Sequence, residues 1–237
     1  MDENPEIQKE TRLRFYARIA IRAILLSIAV GVVSAVIMVI VYKFLPVTNT
    51  MFMRIQSDKH NVSTTQTWVP LTEISPNLAL AVVSSEDNLF VQHNGFSLDA
   101  IKRAMEHNEK SKRIHGGSTI SQQVAKNVFL WNGRSWVRKG LEAGFTVLIE
   151  FIWGKERIME VYLNVVELAP GVYGAEAASQ KFFKHSAKRI TREEAALMAA
   201  VLPNPARMKL ARPSEYVYKR QGQILYLMDK IGRVKYE

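Results

Sequence analysis

A run of 20 residues without a charged side chain, from Ala23 to Tyr42, constrains this chain more than any other feature. As an α-helix rising about 1.5 Å per residue it would extend roughly 30 Å, the thickness of the hydrocarbon core of a bilayer. A signal peptide would have a shorter apolar region followed by small residues at a cleavage site, and this run has neither property. The run therefore predicts a single membrane-spanning helix.

The charges before this run predict its orientation. Its N-terminal side carries five basic residues: Lys9, Arg12, Arg14, Arg18 and Arg22. Because positively charged flanks stay in the cytoplasm, the N-terminus should be cytoplasmic and the chain after about residue 43 should lie outside. We therefore expect a cytoplasmic segment at 1–22, a transmembrane helix at 23–42, a membrane-proximal connector at 43–70 and one globular domain at 71–237.

The connector is polar and rich in threonine, which makes it a poor helix candidate between Pro46 and Pro70. An apolar patch at 51–53 leaves two interpretations open, an amphipathic contact with the bilayer and a plain spacer.

Composition narrows the classes of function. Cysteine is absent, which excludes a disulfide framework, a thiolate metal site and a cysteine nucleophile. The formal net charge is +10, which indicates nucleic acid, an acidic membrane surface or a phosphorylated substrate as the partner.

From Leu71 onward the apolar spacing is helical almost throughout, and no stretch alternates as a strand would. A buried helix should begin at Ser75, with Pro76 in its first turn, and carry the apolar run 78–83. Further helices are expected at 98–107, from Ser135 to 152, at 156–164, at 175–183, after a capping box at Thr191–Glu194, and at 214–231. The fold class should be all-α.

Two carboxylates, Glu86 and Asp87, lie where the first of these helices ends, and Phe90, His93 and Gly95 follow them. A carboxylate in apolar surroundings has a raised pKa, which suits it to proton transfer. The alternative is a solvated acidic pair that only ends the helix.

A second polar group follows two glycines. Ser118, Gln122 and Lys126 are spaced four residues apart, so on a helix they should share one polar face. The opposing apolar stripe should consist of Ile120, Val124 and Val128. The charged segment before them, 109–115, should be a mobile surface loop, and 94–115 should act as a lid over the substrate.

Other catalytic arrangements find little support. There is no Gly-rich nucleotide loop, the histidines are not at metal-ligand spacings, and Ser118 lacks a nucleophile elbow. His93 should order a loop rather than bind metal. Two carboxylates, Glu86 and Glu142, and two cations, Lys126 and Arg134, remain.

This set would suit transfer of a sugar from a pyrophosphate leaving group. One carboxylate would take the proton from the incoming hydroxyl while the cations stabilise the charge on the phosphates. Solvated surface cations, and an ordinary helical ion pair between Arg138 and Glu142, are the alternative.

Five ordered blocks of sequence now permit a comparison with a known family. They are Glu86-Asp87-x-x-Phe90-x-x-His93-x-Gly95, Gly116-Gly117-Ser118-Thr119-Ile120-x-Gln122-Gln123-x-x-Lys126-Asn127, Arg138-Lys139-x-x-Glu142, Lys155-x-x-Ile158-x-Glu160-x-Tyr162-Leu163-Asn164, and Arg192 to Leu197 with Pro203-Asn204-Pro205. Their order and spacing resemble the peptidoglycan glycosyltransferases of glycosyltransferase family 51, in particular monofunctional members without the transpeptidase domain of class A penicillin-binding proteins.

The resemblance implies a lysozyme-like helical domain that polymerises lipid II with inversion and releases undecaprenyl pyrophosphate. It implies Glu86 as general base, Glu142 as a second essential carboxylate, and Lys126 and Arg134 at the donor pyrophosphate. Further substrate contacts are implied for the remaining motif residues: Asp87, His93, Ser118, Thr119, Gln122, Gln123, Asn127, Arg138 and Lys139.

The resemblance also sets expectations about cofactors, partners and location. No cofactor should be required, although family members often respond to divalent cations such as Mg or Mn. The partners should be lipid II, the lipid-linked glycan chain, the bacterial inner membrane and other cell-wall synthesis or division proteins, but not nucleic acid. The catalytic domain should be periplasmic.

Two other classes of protein stay open at this point. A membrane-anchored lysozyme-like hydrolase would also use a glutamate in a helical cleft, but it would not need the cations. A non-catalytic membrane-anchored adaptor is suggested only by the charge.

Overall fold

The computed structural model describes residues 5–97, 117–133 and 135–236, and the chain divides into two compact units, 1–41 and 42–237. The predicted helix at 98–107, the predicted loop at 109–115, most of the predicted lid at 94–115 and Arg134 lie outside the described residues.

The first unit is formed by helix α1, Pro5–Phe44. Its part from Arg14 to Phe44 is long and apolar enough to cross a membrane. Between Arg14 and Phe44 most of its apolar side chains are exposed, including Leu26 at 67%. A helix with so much exposed apolar surface needs an apolar environment outside its own unit. The prediction of a membrane-spanning helix is confirmed as far as length and composition go.

The second unit is mainly helical, as predicted. Its helices are α2 (Met51–His60), α3 (Pro76–Glu86), α4 (Ile120–Phe129), α5 (Trp136–Ile152), α6 (Gly154–Val165), α7 (Ala175–Phe182), α8 (Arg192–Val201) and α9 (Glu215–Ile231). Two short 3₁₀ helices occupy Leu71–Glu73 and Ala187–Arg189. Within the described residues the helices predicted from the sequence therefore end within two residues of the expected positions.

Helix α3 is the centre of this unit. It begins at Pro76 directly after Ser75, as predicted, and every residue from Leu78 to Ser84 is buried. Helices α8 and α9 pack against it. Helix α4 packs against α2, α5 and α6, so the unit consists of two groups of helices. The carboxyl end of α3 reaches α4, where the two groups meet.

Three short strands form a small sheet that the sequence analysis did not predict. They are β1 (Thr65–Gln66), β2 (Glu167–Ala169) and β3 (Val172–Tyr173). Their order is β1-β3-β2, with β1 parallel and β2 antiparallel to β3. Strands of two or three residues are too short to show the alternation by which strands are recognised.

The connector contains helix α2, so the prediction that this segment is a poor helix candidate is wrong. The Thr50 side chain caps the helix by accepting a hydrogen bond from Met53 N at 3.2 Å, and Asn61 ends it in the left-handed conformation. Met53 is completely buried and its carbonyl accepts a hydrogen bond from the Tyr173 hydroxyl at 3.4 Å. Tertiary burial of one face of the helix outweighs its polar composition.

Asn164, on α6, forms hydrogen bonds with the backbone of the connector. Its side chain donates to Val69 O at 2.9 Å and accepts from Val69 N at 3.0 Å, and the residue is fully buried. Gly174, at φ +83°, lies against the same residue, since a Cβ there would come within 2.6 Å of Asn164 O. This contact explains why the turn before α7 requires glycine.

The capping box predicted at the start of α8 is confirmed. Glu194 N donates to the Thr191 hydroxyl at 3.2 Å, and Thr191 N donates to the Glu194 carboxylate at 2.9 Å.

Candidate active site

Glu86 is the last residue of α3, and its side chain leaves the apolar core there. The side chain is 15% exposed, and its carboxylate accepts a hydrogen bond from Gln123 Nε2 on α4 at 3.0 Å. Arg220 Nη2 on α9 lies 3.9 Å from the other carboxylate oxygen. The predicted carboxylate at the end of a buried helix is confirmed, and it faces both groups of helices.

Burial raises the pKa of Glu86 above its ordinary value, and the Asp87 charge acts in the same direction. The hydrogen bond from Gln123 and the charges of Arg220 and Lys126 oppose this rise. A carboxylate with a moderately raised pKa is a better proton acceptor near neutral pH than an ordinary one. The environment therefore suits Glu86 to general base chemistry.

Gln123 is held in one orientation by a buried tyrosine. The hydroxyl of Tyr162, on α6, donates to Gln123 Oε1 at 3.3 Å, which turns the amide nitrogen of Gln123 toward Glu86. Burial raises the pKa of Tyr162 well above its ordinary value, and the Glu86 charge adds to that rise. The tyrosine consequently keeps its proton and remains a donor.

Asp87 braces the loop that follows α3 instead of facing the same space as Glu86. Its carboxylate contacts His93 Nε2 at 2.9 and 3.0 Å and accepts from Ile120 N at 3.1 Å. Gly95 N donates to His93 Nδ1 at 3.1 Å, so the other ring nitrogen carries the hydrogen directed at Asp87. His93 orders the loop, as predicted.

Helix α4 begins at Ile120, so Ser118 lies before the helix and the prediction that it shares a helical face with Gln122 and Lys126 is wrong. Thr119 is the N-cap instead. Gln122 completes a capping box by accepting from Thr119 N at 3.0 Å. The predicted apolar stripe is confirmed, since its three residues are buried: Ile120, Val124 and Val128.

The loop that follows α3, the Asp87 loop (87–97), contacts the start of α4 at Gly95. The Thr119 hydroxyl donates to Gly95 O at 2.6 Å. Gly95 has φ +87°, and a Cβ there would lie 2.6 Å from the Thr146 methyl group. Only glycine fits this position without displacing α5.

Lys126 is a partly buried cation on which the charges of both glutamates act. Its Nζ lies 5.4 Å from the centre of the Phe52 ring, and it forms no hydrogen bond or salt bridge with the described part of the chain. Burial lowers the pKa of Lys126, while the Glu142 and Glu86 charges raise it. An ammonium group that has no carboxylate bonded to it can receive an anionic ligand.

Glu142, on α5, is already neutralised by two cations. Its side chain is 4% exposed, with Arg138 Nη1 at 2.7 Å and Lys139 Nζ at 2.5 Å. The ion pair between Arg138 and Glu142, which the sequence analysis gave as the alternative to a catalytic role, is present. Because a buried, doubly paired carboxylate would have to release two partners before it took a proton, Glu142 is better placed to hold the cations than to act as a base.

Asn127 adds an unsatisfied acceptor beside Lys126 on α4. Its side chain is buried, and its Oδ1 has no hydrogen-bond partner in the described part of the structure. A buried acceptor of this kind usually has a ligand or water as its partner. No group of three or more His, Asp or Glu residues that could hold a metal ion occurs among the described residues.

Comparison with known proteins now identifies the family. A family model described as transglycosylase matches residues 53–229. The chain belongs to the transglycosylase family. The match includes both glutamates and the cations around them, so the described site lies within the transglycosylase domain, and the chain is a glycosyltransferase.

Three curated proteins similar to this transglycosylase carry the name biosynthetic peptidoglycan transglycosylase. The protein from Bdellovibrio bacteriovorus is 57% identical over 198 residues, 81% of this chain and 79% of its own length. The protein from Bacteroides thetaiotaomicron is 52% identical over 205 residues, 84% and 83% of the two chains. The protein from Cronobacter sakazakii is 48% identical over 218 residues, 91% and 90%.

Three contacts of the transglycosylase site were missed in the sequence. Phe52 lies in the connector helix α2, which was not predicted, and Arg220 lies in α9 outside the five motifs. Tyr162 lies inside a motif, but nothing in the spacing relates it to Gln123, 39 residues earlier. The large apolar ring and the basic residue are ordinary by themselves, so only the tertiary contact reveals them.

A further cluster of polar side chains contacts Phe90 in the Asp87 loop of the transglycosylase domain. Ser121 and Lys155 both donate to Glu150, and Lys155 Nζ also lies 4.7 Å from the centre of the buried Phe90 ring. This cluster gives the motif lysine a structural function that its spacing did not indicate.

Proposed function

We propose that this transglycosylase polymerises lipid II into peptidoglycan glycan strands. The C4 hydroxyl of the N-acetylglucosamine of one lipid II attacks C1 of the N-acetylmuramic acid at the lipid-linked end of the growing chain. The C1–oxygen bond to the pyrophosphate breaks, a β-1,4 bond forms with inversion, and undecaprenyl pyrophosphate leaves.

The observation that carries the proposal is a base-like carboxylate close to a cation that has no salt bridge within the described residues. Glu86 is kept in a partly buried position by Gln123, and Lys126 interacts electrostatically with it from one turn further along α4. Glu86 takes the proton of the attacking hydroxyl, and Lys126 stabilises the negative charge that develops on the pyrophosphate.

The other motif residues divide into two roles in this proposal. Glu142 holds Arg138 and Lys139 as a preorganised cationic surface whose charges act on Lys126. Asn127 offers a buried acceptor on the same helix as Lys126. A preorganised site stabilises developing charge without rearranging during the reaction.

The proposal needs no resident cofactor, because cationic side chains supply the positive charge that the pyrophosphate requires. A response to Mg or Mn stays a prediction.

A tethered enzyme would meet its lipid-linked substrate in the plane of the bilayer. The apolar part of helix α1 supports this arrangement, and the basic residues that precede the uncharged run 23–42 support a cytoplasmic N-terminus with the catalytic unit in the periplasm. The net charge of +10 suits a pyrophosphate substrate in an anionic membrane.

The topology can be tested with a reporter enzyme that is active only outside the cytoplasm. Fused after Glu237 it should be active, whereas the same reporter fused within residues 1–22 should be inactive. Activity of a reporter that works only in the cytoplasm, when fused after Glu237, would overturn the proposed orientation.

Incubation of the purified protein with labelled lipid II tests the proposed reaction. The expected products are a glycan polymer and undecaprenyl pyrophosphate, with one undecaprenyl pyrophosphate released for each glycosidic bond formed. A protein that releases small glycan fragments from pre-formed peptidoglycan and leaves lipid II intact would be a hydrolase. No reaction with either substrate would indicate a non-catalytic role.

A further inference from the structure

Arg220 is a charged neighbour of Glu86 that comes from the last helix, outside the five motifs. It lies on α9, which packs against α3 and α8. Its side chain is 23% exposed, and Nη2 lies 3.9 Å from Glu86 Oε1. Its Nε is buried without a hydrogen-bond partner in the described residues. An arginine so placed is directed at the carboxylate by packing rather than by hydrogen bonds of its own.

We propose that Arg220 is a positioning residue that keeps the Glu86 carboxylate charged and turned toward the acceptor hydroxyl. This inference rests on the proposed function, because it assumes that Glu86 is the base. Arg220 would act through Glu86, with no contact to the reacting atoms.

The charged and titratable groups around Glu86 support this role. Asp87 follows it on the same segment, Lys126 lies on α4, Tyr162 on α6 and Arg220 on α9. Asp87 and burial favour the protonated carboxyl, whereas Arg220 and Lys126 favour the carboxylate. In the proposed reaction Lys126 is occupied by the pyrophosphate, whose negative charge offsets its own. Among the described residues, Arg220 is then the neighbouring cation that keeps the base ionised.

The separation between Arg220 and Glu86 also suits a base that needs one oxygen available for the acceptor hydroxyl. At 3.9 Å the pair interacts through charge without a short hydrogen bond, whereas Gln123 holds the other oxygen at 3.0 Å. A short bidentate arginine would compete with the acceptor hydroxyl for both oxygens. Arg220 instead contributes charge and leaves the facing oxygen free.

The dependence of kcat/KM on pH tests the inference with lipid II as substrate. A base is active when deprotonated, so the rate should fall as the pH falls through the pKa of Glu86. Removing a positive charge raises that pKa. In Arg220→Gln the acid limb should therefore move to higher pH by about one unit. Arg220→Lys should restore most of the wild-type position, and the loss in Arg220→Gln should shrink at high pH.

Lys219→Gln is the matched control, because it removes one positive charge from an exposed neighbouring position on the same helix. Its acid limb should coincide with that of the wild type. Circular dichroism and the melting temperature establish that each variant is folded. If Arg220→Gln does not fold, Arg220→Met replaces it: the same shift of the acid limb to higher pH is expected, and an unmoved limb would overturn the inference.

An equal loss of rate at every pH in Arg220→Gln, with the acid limb unmoved, would overturn the inference. An equal shift in Lys219→Gln would do the same, because it would show an effect of net charge alone. A wild-type protein that makes no polymer would instead contradict the proposed function itself.

Discussion

Replacement of Glu86 by glutamine should reduce lipid II polymerisation by roughly a hundredfold or more, the usual contribution of a general base. Glutamine keeps the size of the side chain but cannot accept the proton of the acceptor hydroxyl. Binding of a donor-site inhibitor such as moenomycin should survive, because Lys126 and the Glu142 cluster remain in place. Initial rates with labelled lipid II and the inhibitor Kd measure the two effects separately.

Glu142→Gln is the contrasting variant. It removes the charge that holds Arg138 and Lys139, so it should weaken inhibitor binding as well as lower the rate. A Glu86→Gln protein that polymerises at nearly the wild-type rate, beside a Glu142→Gln protein that is inactive but binds normally, would reverse the two assignments.

Replacement of Lys126 by alanine should lower kcat by roughly a hundredfold to a thousandfold, the cost of losing one electrostatic donor to a developing charge. The melting temperature should stay nearly unchanged, since Lys126 has no hydrogen bond or salt bridge to lose among the described residues. Burial lowers the pKa of Lys126, which means that its charge is partly desolvated in the folded protein. The alanine variant does not bear that cost in folding free energy.

Lys59→Ala provides the control, as an exposed lysine on α2. It should match the wild type in rate and stability. A large fall in melting temperature for Lys126→Ala, with normal turnover per folded molecule, would make Lys126 structural. Arg134 lies outside the described residues, and the expectation that Arg134→Lys is not conservative stays a prediction.

Local signals predicted the elements on which the site depends. Pro76 in a first turn followed by an apolar run predicted α3, and the Thr191–Glu194 spacing predicted the start of α8. These features depend on residues within one or two turns of each other. The end of α3, and therefore the position of Glu86, followed from the same reasoning.

Contacts between distant segments could not be predicted in this way. Helix α2 depends on burial of Met53 beneath Tyr173, 120 residues later, and Arg220 reaches Glu86 across 134 positions. The three short strands depend entirely on pairing with one another. No periodicity within a segment reports such contacts.

Membership in a motif also did not reveal what each residue does. Asp87 and His93 bind each other, and Gln122 caps α4, so these residues hold the loop and the helix in place. Gln123 and Lys126 face the glutamates instead. Adjacent positions of one motif thus point to different sides of α4. Predicting which side each residue faces requires knowing that the helix begins at Ile120.

The most direct test of Glu86 as the base is the pH dependence of kcat/KM for the wild-type protein beside Glu86→Gln. Because burial raises the pKa of Glu86, the wild-type rate should fall with unit slope at low pH, with its midpoint above the ordinary value of 4.5. The residual rate of Glu86→Gln should lack this limb. Circular dichroism at each pH confirms that both proteins are folded. A wild-type rate that stays level down to pH 4.5, or the same limb in both proteins, would contradict the assignment.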